Sequence, residues 1–195
     1  MASDDQRRVD HVVDDIEALR AFVHPLRLRL LSLLRLDGPA TASDLARRVG
    51  ESSGSASYHL RQLARFGFVE DDPGQTSKRE RVWRAAHRGT RVPAESFVDD
   101  AEKWAVVNQL AHQQIGTWLR AADAFLADPQ SWSPAWIEAA TTDDWRLRIS
   151  PQRQRALNAE IEALVDRYRE ESREQPDGEI VTMFFGAVPV RDKDL

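Results

Sequence analysis

The chain has 195 residues, no cysteine and a formal net charge of −5. The missing thiols exclude a disulfide framework, thiolate metal sites and a cysteine nucleophile, and no apolar run approaches the ~18–20 residues of a membrane span. Hydrophobic residues make up 42% of the chain, enough for one or two packed domains.

The opening stretch MASDDQRRVDHVVDD is polar and lacks an apolar signal region, so a cytoplasmic protein is expected. A helix follows from about Asp10 to Val23, with Ile16, Leu19 and Val23 inward. His24-Pro25 breaks it and opens a second helix, Leu26–Leu36, because proline suits a first helical turn. Leu26, Leu30, Leu33 and Leu34 form its core stripe, and Asp37-Gly38-Pro39 ends it.

Thr41–Phe66, TASDLARRVGESSGSASYHLRQLARF, reads as two short helices joined by a tight turn. The first opens at Thr41 or Ser43 and stops at Gly50, a residue type that accepts the left-handed conformation of a helix end. Ser52 is the expected N-cap of the second, which buries Ala56, Leu60 and Leu63 on one face. The opposite face presents Gly54, Ser57, Tyr58, Arg61 and Arg65. Its first turn, small and polar, allows close approach of a phosphate or base edge, where unpaired helix-start amides favour an anion. Phe68–Glu70 and Arg81–Arg84 read as strands around the turn Pro73-Gly74-Gln75-Thr76, a β-hairpin wing spanning 68–85.

Charge is distributed unevenly along the chain. Residues 20–92 carry 14 basic and 7 acidic side chains, whereas residues 93–195 carry 11 and 19. Local potential rather than the total steers a protein towards a phosphate backbone, so the negative total does not argue against nucleic acid. Ser53, Gly54, Ser57, Tyr58 and Arg61 are the expected base-edge and nearby phosphate contacts, and Lys78, Arg79 and Arg81 the contacts of the wing.

His24-Pro25-Leu26-Arg27-Leu28-Arg29-Leu30-Leu31, Ser57-Tyr58-His59-Leu60 and Phe66-Gly67-Phe68-Val69 together resemble the winged-helix repressors of the ArsR type, over roughly residues 12 to 88. The resemblance implies a homodimeric transcriptional repressor that a small effector releases from an operator. The resemblance also implies that common metal sites use cysteines, which are absent here, or in some members histidines and carboxylates at the dimer interface. The histidines at 11, 24, 59, 87 and 112 are scattered, and only His11 with Asp14 or Asp15, and His112, are candidates, a lone helical histidine usually being no ligand. No metal site and no cofactor are expected.

After a polar linker at 86–93, a long helix is expected over 94–127. Phe97, Trp104, Asn108, Ala111, Ile115 and Trp118 lie on a heptad seam, which reads either as a dimer interface or as a face packed in its own subunit. Trp145, Leu147 and Ile149 alternate with polar residues as in a half-buried strand. Ser150-Pro151 starts a helix to about Ser172, and Glu179–Val188 reads as a second strand. The expected architecture is mainly α with small β elements. A winged helix-turn-helix domain (1–92) is followed by a dimerisation and effector domain (93–195) comprising the long helix and a strand-helix-strand unit (143–190).

Trp104, Trp118, Trp132 and Trp136 either line an apolar pocket for a small organic effector or fill a core. No nucleotide loop, nucleophile elbow or zinc-protease motif is present and no paired carboxylates sit in an apolar setting, so an enzyme is not expected. The expected function is a DNA-binding regulator whose recognition helix (53–66) and wing (68–85) read a palindromic operator. Two alternatives stand beside it: a winged-helix module that docks another protein, and an enzyme carrying an appended winged helix.

Overall fold

In the computed structural model, residues 11–74, 80–172 and 178–191 are described. The chain divides into two compact units between Gly116 and Thr117. The first unit begins with β1 (His11–Val12) and α1 (Ile16–Phe22), followed by α2 (Pro25–Asp37), β2 (Ala40–Thr41), α3 (Ala42–Val49) and α4 (Ser53–Arg65). The hairpin β3 (Val69–Asp71) and β4 (Val82–Ala85) comes next, then β5 (Thr90–Arg91). Strands β2, β4 and β3 form an antiparallel sheet with β4 central, while β1 and β5 pair in parallel.

Helix ends follow local chemistry. The Asp15 carboxylate accepts the Ala18 N–H at 2.8 Å, so α1 starts at Ile16 and not at Asp10. His24 caps α2 with Pro25 in its first turn, as the sequence predicts. Residues just before α1 are instead strand: the His11 N–H donates to the Gly89 carbonyl at 3.1 Å and the Val13 N–H to the Arg91 carbonyl at 2.9 Å. Arg35 fastens the same return segment, donating to the His87 carbonyl at 3.2 Å and to Thr90 Oγ1 at 2.7 Å. The stretch expected to be a linker is therefore stitched to the head.

One core closes the first unit. Leu19, Leu30, Leu45, Leu60, Leu63 and Phe68 are fully buried, with Trp83 and Phe97 beside them. Each buried leucine contributes ~1.5–3 kcal/mol over its exposed state. Because Phe97 and Leu110 share this core, the unit continues past the boundary expected at residue 92. The long helix begins later than expected: a 3-10 turn at Ala94–Ser96 precedes α5 (Ala101–Ala127). Phe97 sits before that helix at 2% exposure, which removes it from the predicted seam. In the first unit, α5 packs Val106, Val107 and Leu110 on the core. Trp104, Asn108, Ala111 and Ile115 lie on a different face of the helix, all exposed.

In the second unit the end of α5 is followed by a 3-10 turn at Pro129–Ser131, α6 (Pro134–Ala139) and α7 (Pro151–Ser172). Trp118 lies 6.4 Å from Phe184 and Trp132 lies 5.8 Å from Phe125, centroid to centroid, so these two tryptophans have separate ring partners. Trp118, Trp132 and Trp136 are each half-buried. The strands predicted at 145–149 and 179–188 are not formed: among the described residues both segments lack strand pairing. The helix between them forms as expected, since a helix satisfies its own backbone whereas a strand requires a neighbour. No helix among the described residues is long and apolar enough to cross a membrane.

Candidate nucleic-acid interface

Three residues set the geometry of the two-helix motif. Thr41 caps α3, its Oγ1 accepting the Asp44 N–H at 3.1 Å while its hydroxyl donates to the Asp44 carboxylate at 2.8 Å. Gly50 ends α3 in the left-handed region at φ 73°, where a side chain is strained. Ser52 caps α4, accepting the Ser55 N–H on its hydroxyl oxygen at 3.1 Å. The amides of Ser53 and Gly54 lie in the first turn, which leaves helix N–H groups without intrahelical acceptors.

Alanine 56, Leu60 and Leu63 anchor α4 on the core, all fully buried, so its other side is turned outward. Ser53, Gly54 and Arg61 are exposed, Ser57 is half-buried and Tyr58 is 54% exposed. Ser53, Gly54, Ser57 and Arg61 line one side of a groove of about 450 Å³. Thr41, Ala42 and Ser43 at the start of α3, together with Glu80, Arg81 and Trp83 of the wing, complete it. The structure thus gathers five of the predicted contacts at one groove and places Tyr58 on the exposed surface of α4. Lys78 and Arg79 lie outside the described residues. Thr41 and Ser43 were not predicted as lining residues, although the capping position of Thr41 was a signal for them.

Arg81 is held rather than free. It donates to both carboxylate oxygens of Asp71 across the hairpin, with Nη2 to Oδ2 at 3.0 Å, and its guanidinium lies 3.8 Å from the Trp83 ring centroid. This pair keeps the Asp71 carboxyl below the usual range. Because both partners are largely exposed, the pair orients the guanidinium more than it stabilises the fold. Arg84 pairs likewise with Glu70 at 2.8 Å.

Behind the exposed face, the His24 and His59 rings stand 4.4 Å apart, with Arg27 and Glu51 the charged groups acting on them and the Tyr58 ring 5.1 Å from His59. Burial first lowers both imidazoles below their ordinary value of 6.5; the charge of Arg27 adds to it at His24, and His24 and then Arg27 add to it at His59, where Glu51 opposes. His24 Nδ1 accepts the Leu26 N–H at 3.3 Å, a role it loses on protonation. His59 Nδ1 is buried without a hydrogen-bond partner among the described residues, so a proton there gains no acceptor from them. His11 is lowered too, by burial and then by His87 and Arg35, with Asp14 opposing.

The unfolded chain therefore binds these protons at higher pH than the folded one. Stability from the three groups is complete above pH 6.5 and is lost as pH falls through the lower folded-state values. Melting temperature measured from pH 7.5 down to 5 is expected to fall, with a shallower slope in the double variant His24→Asn, His59→Gln. A slope identical in variant and wild type would assign the effect to other groups.

Residues 22–72 match a family model described as a helix-turn-helix domain. No curated protein matches the chain. Among solved structures, it is similar to the homodimeric winged helix-turn-helix DNA-binding domain (fragment 1-100) of Mb0332 from Mycobacterium bovis, described as a possible ArsR-family transcriptional regulator. That likeness has 25% identity, covers 50% of this chain and 77% of that one, and has a TM-score of 0.33. Reduced HlyU from Vibrio cholerae is similar at 21% identity, with 51% and 86% covered and a TM-score of 0.33. The transcriptional regulator Tm0710 from Thermotoga maritima is similar at 10% identity, with 78% and 86% covered and a TM-score of 0.30. The matched segment holds the helix-turn-helix and the first strand of the hairpin, and with β4, which ends at Ala85, it forms a winged helix-turn-helix domain.

Proposed function

We propose that this protein is a DNA-binding transcriptional regulator, acting as a homodimeric repressor on an imperfect palindrome. The observation that carries the reading is the groove in which the small-residue start of α4, Arg61 and the Arg81 edge of the wing converge. The stretch around it, residues 20–92, carries an excess of basic side chains. In the bound state α4 enters the major groove. Ser53, Gly54, Ser57 and Tyr58 meet phosphates and base edges, and Arg61 reaches a base; Lys78, Arg79 and Arg81 set the wing on the backbone.

Homodimerisation is supported by the exposed face of α5 carrying Trp104, Asn108, Ala111 and Ile115, which the first unit's own core leaves uncovered. A polar Asn108 within that seam fits the register-setting role of an asparagine at a paired-helix contact. Trp118 continues the same spacing along the helix. Two reading helices related by twofold symmetry take half-sites roughly 34 Å apart.

Arg61→Ala tests the base-reading assignment, because Arg61 is exposed and carries no packing load. Its expected cost is ~1–3 kcal/mol on operator binding, with relaxed preference at one base position. Anisotropy titrations on a selected operator and on single-base variants measure both quantities. Equal affinity for wild type and variant would withdraw Arg61 from the interface. The gel-shift pattern on the DNA upstream of the protein's own coding sequence also separates this reading from a protein-docking module, which retards no duplex.

A further inference from the structure

Among the described residues of the second unit, 117–172 and 178–191, none is fully buried, and Trp118, Trp132 and Trp136 are only half-covered. Yet it is rich in large apolar side chains. Trp145, Leu147 and Ile149 are exposed at 78%, 64% and 41%, although their period-2 spacing is that of a strand with one covered face. The run Ile180-Val181-Thr182-Met183-Phe184-Phe185 is apolar on both faces, the pattern of a strand covered on either side. Met183 is nevertheless 75% exposed and Val188 80%. Neither segment has a backbone hydrogen bond to a neighbouring strand among the described residues.

Exposed edges and an apolar strand of this kind require a partner to exclude water and to satisfy their amides. The geometry points to a second copy of this chain as that partner: segments 143–150 and 179–190 of one protomer pair as strands with those of the other. This rests on the homodimeric part of the reading above.

Two observations favour a second copy over an unrelated protein. Fifteen large apolar residues of this unit are exposed. At about 100 Å² each they offer roughly 1,500 Å² per copy, against ~800 Å² per partner in a standard stable complex. Each chain also supplies both kinds of strand, one apolar on one face and one apolar on both, as a self-complementary interface requires.

The test uses the intact chain. Native mass by light scattering and backbone hydrogen exchange by mass spectrometry are followed over the same dilution series, with the single variant Met183→Asp in parallel. The expected result is a dimer in which amides of 143–150 and 179–190 are protected ~100-fold or more and lose that protection as the dimer dissociates. Met183→Asp is expected to weaken the dimer at least tenfold. A dimer in which both segments exchange freely, or a protection independent of concentration, overturns the strand pairing and leaves the homodimeric reading standing. A chain that stays monomeric at every concentration overturns both.

Discussion

Replacing Trp83 by alanine is expected to cost ~3–5 kcal/mol of stability, the range for emptying the site of a large buried aromatic. The side chain is only 2% exposed and sits on the central strand of the three-stranded sheet, where its register partners are Ala40 on one side and Asp71 on the other. It therefore fastens the wing both to the strand before α3 and to its own hairpin partner. The void left by alanine has few ways to collapse, because Leu45, Leu60, Leu63 and Phe68 are fully buried members of the same core. Arg81 at the same time loses the ring beneath its guanidinium. For a unit of this size the melting midpoint should drop by at least about 10 °C. Trp83→Phe, which refills most of the volume, should recover more than half of that loss. A midpoint for Trp83→Ala within about 2 °C of wild type would show that the wing is not packed as described.

Gly54→Glu is expected to separate binding from folding. A Cβ at this position meets only the Ser52 Oγ, at 3.9 Å, so a side chain fits without displacing anything. Glutamate is a better helix former than glycine and places a negative charge in the first turn of α4, where the helix dipole favours it. Stability should therefore stay level or rise by up to about 1 kcal/mol. Affinity for duplex DNA should fall by ~3 kcal/mol or more, near 100-fold, because the carboxylate faces phosphate oxygens and like charges brought together cost several kcal/mol. Few substitutions move the two quantities in opposite directions, so the pair of measurements is diagnostic. If the variant binds DNA as tightly as wild type, the start of α4 does not approach the duplex.

The head was legible because single residues with distinct physics mark its boundaries. Pro25 opens α2, Gly50 turns after α3 in the left-handed conformation, and Ser52 caps α4 with its own hydroxyl. The spacing of Ala56, Leu60 and Leu63 then fixed which side of α4 faces out, and with it Arg61. Strands β1, β2 and β5 were not legible: each is two residues long, too short to show any period, and each exists only through its partner. Phe97 kept the heptad spacing but precedes the helix that gives such spacing meaning. The Asp71 partner of Arg81 lies 10 residues away and becomes visible only once the hairpin register is known. In the second unit, alternation at 145–149 identified strand-like chemistry without supplying the neighbour that a strand requires.

If the groove between α4 and the wing meets a duplex, binding of the intact protein to DNA must depend on salt. Fluorescence anisotropy on duplexes from the region upstream of its own coding sequence, titrated between 50 and 300 mM salt, should give saturable binding. Log affinity should fall against log salt with a slope of roughly −4 to −8, the release expected when two heads each neutralise several phosphates. Absence of binding to any duplex at the lowest salt, or an affinity indifferent to salt, would show that the groove is not a DNA-reading surface.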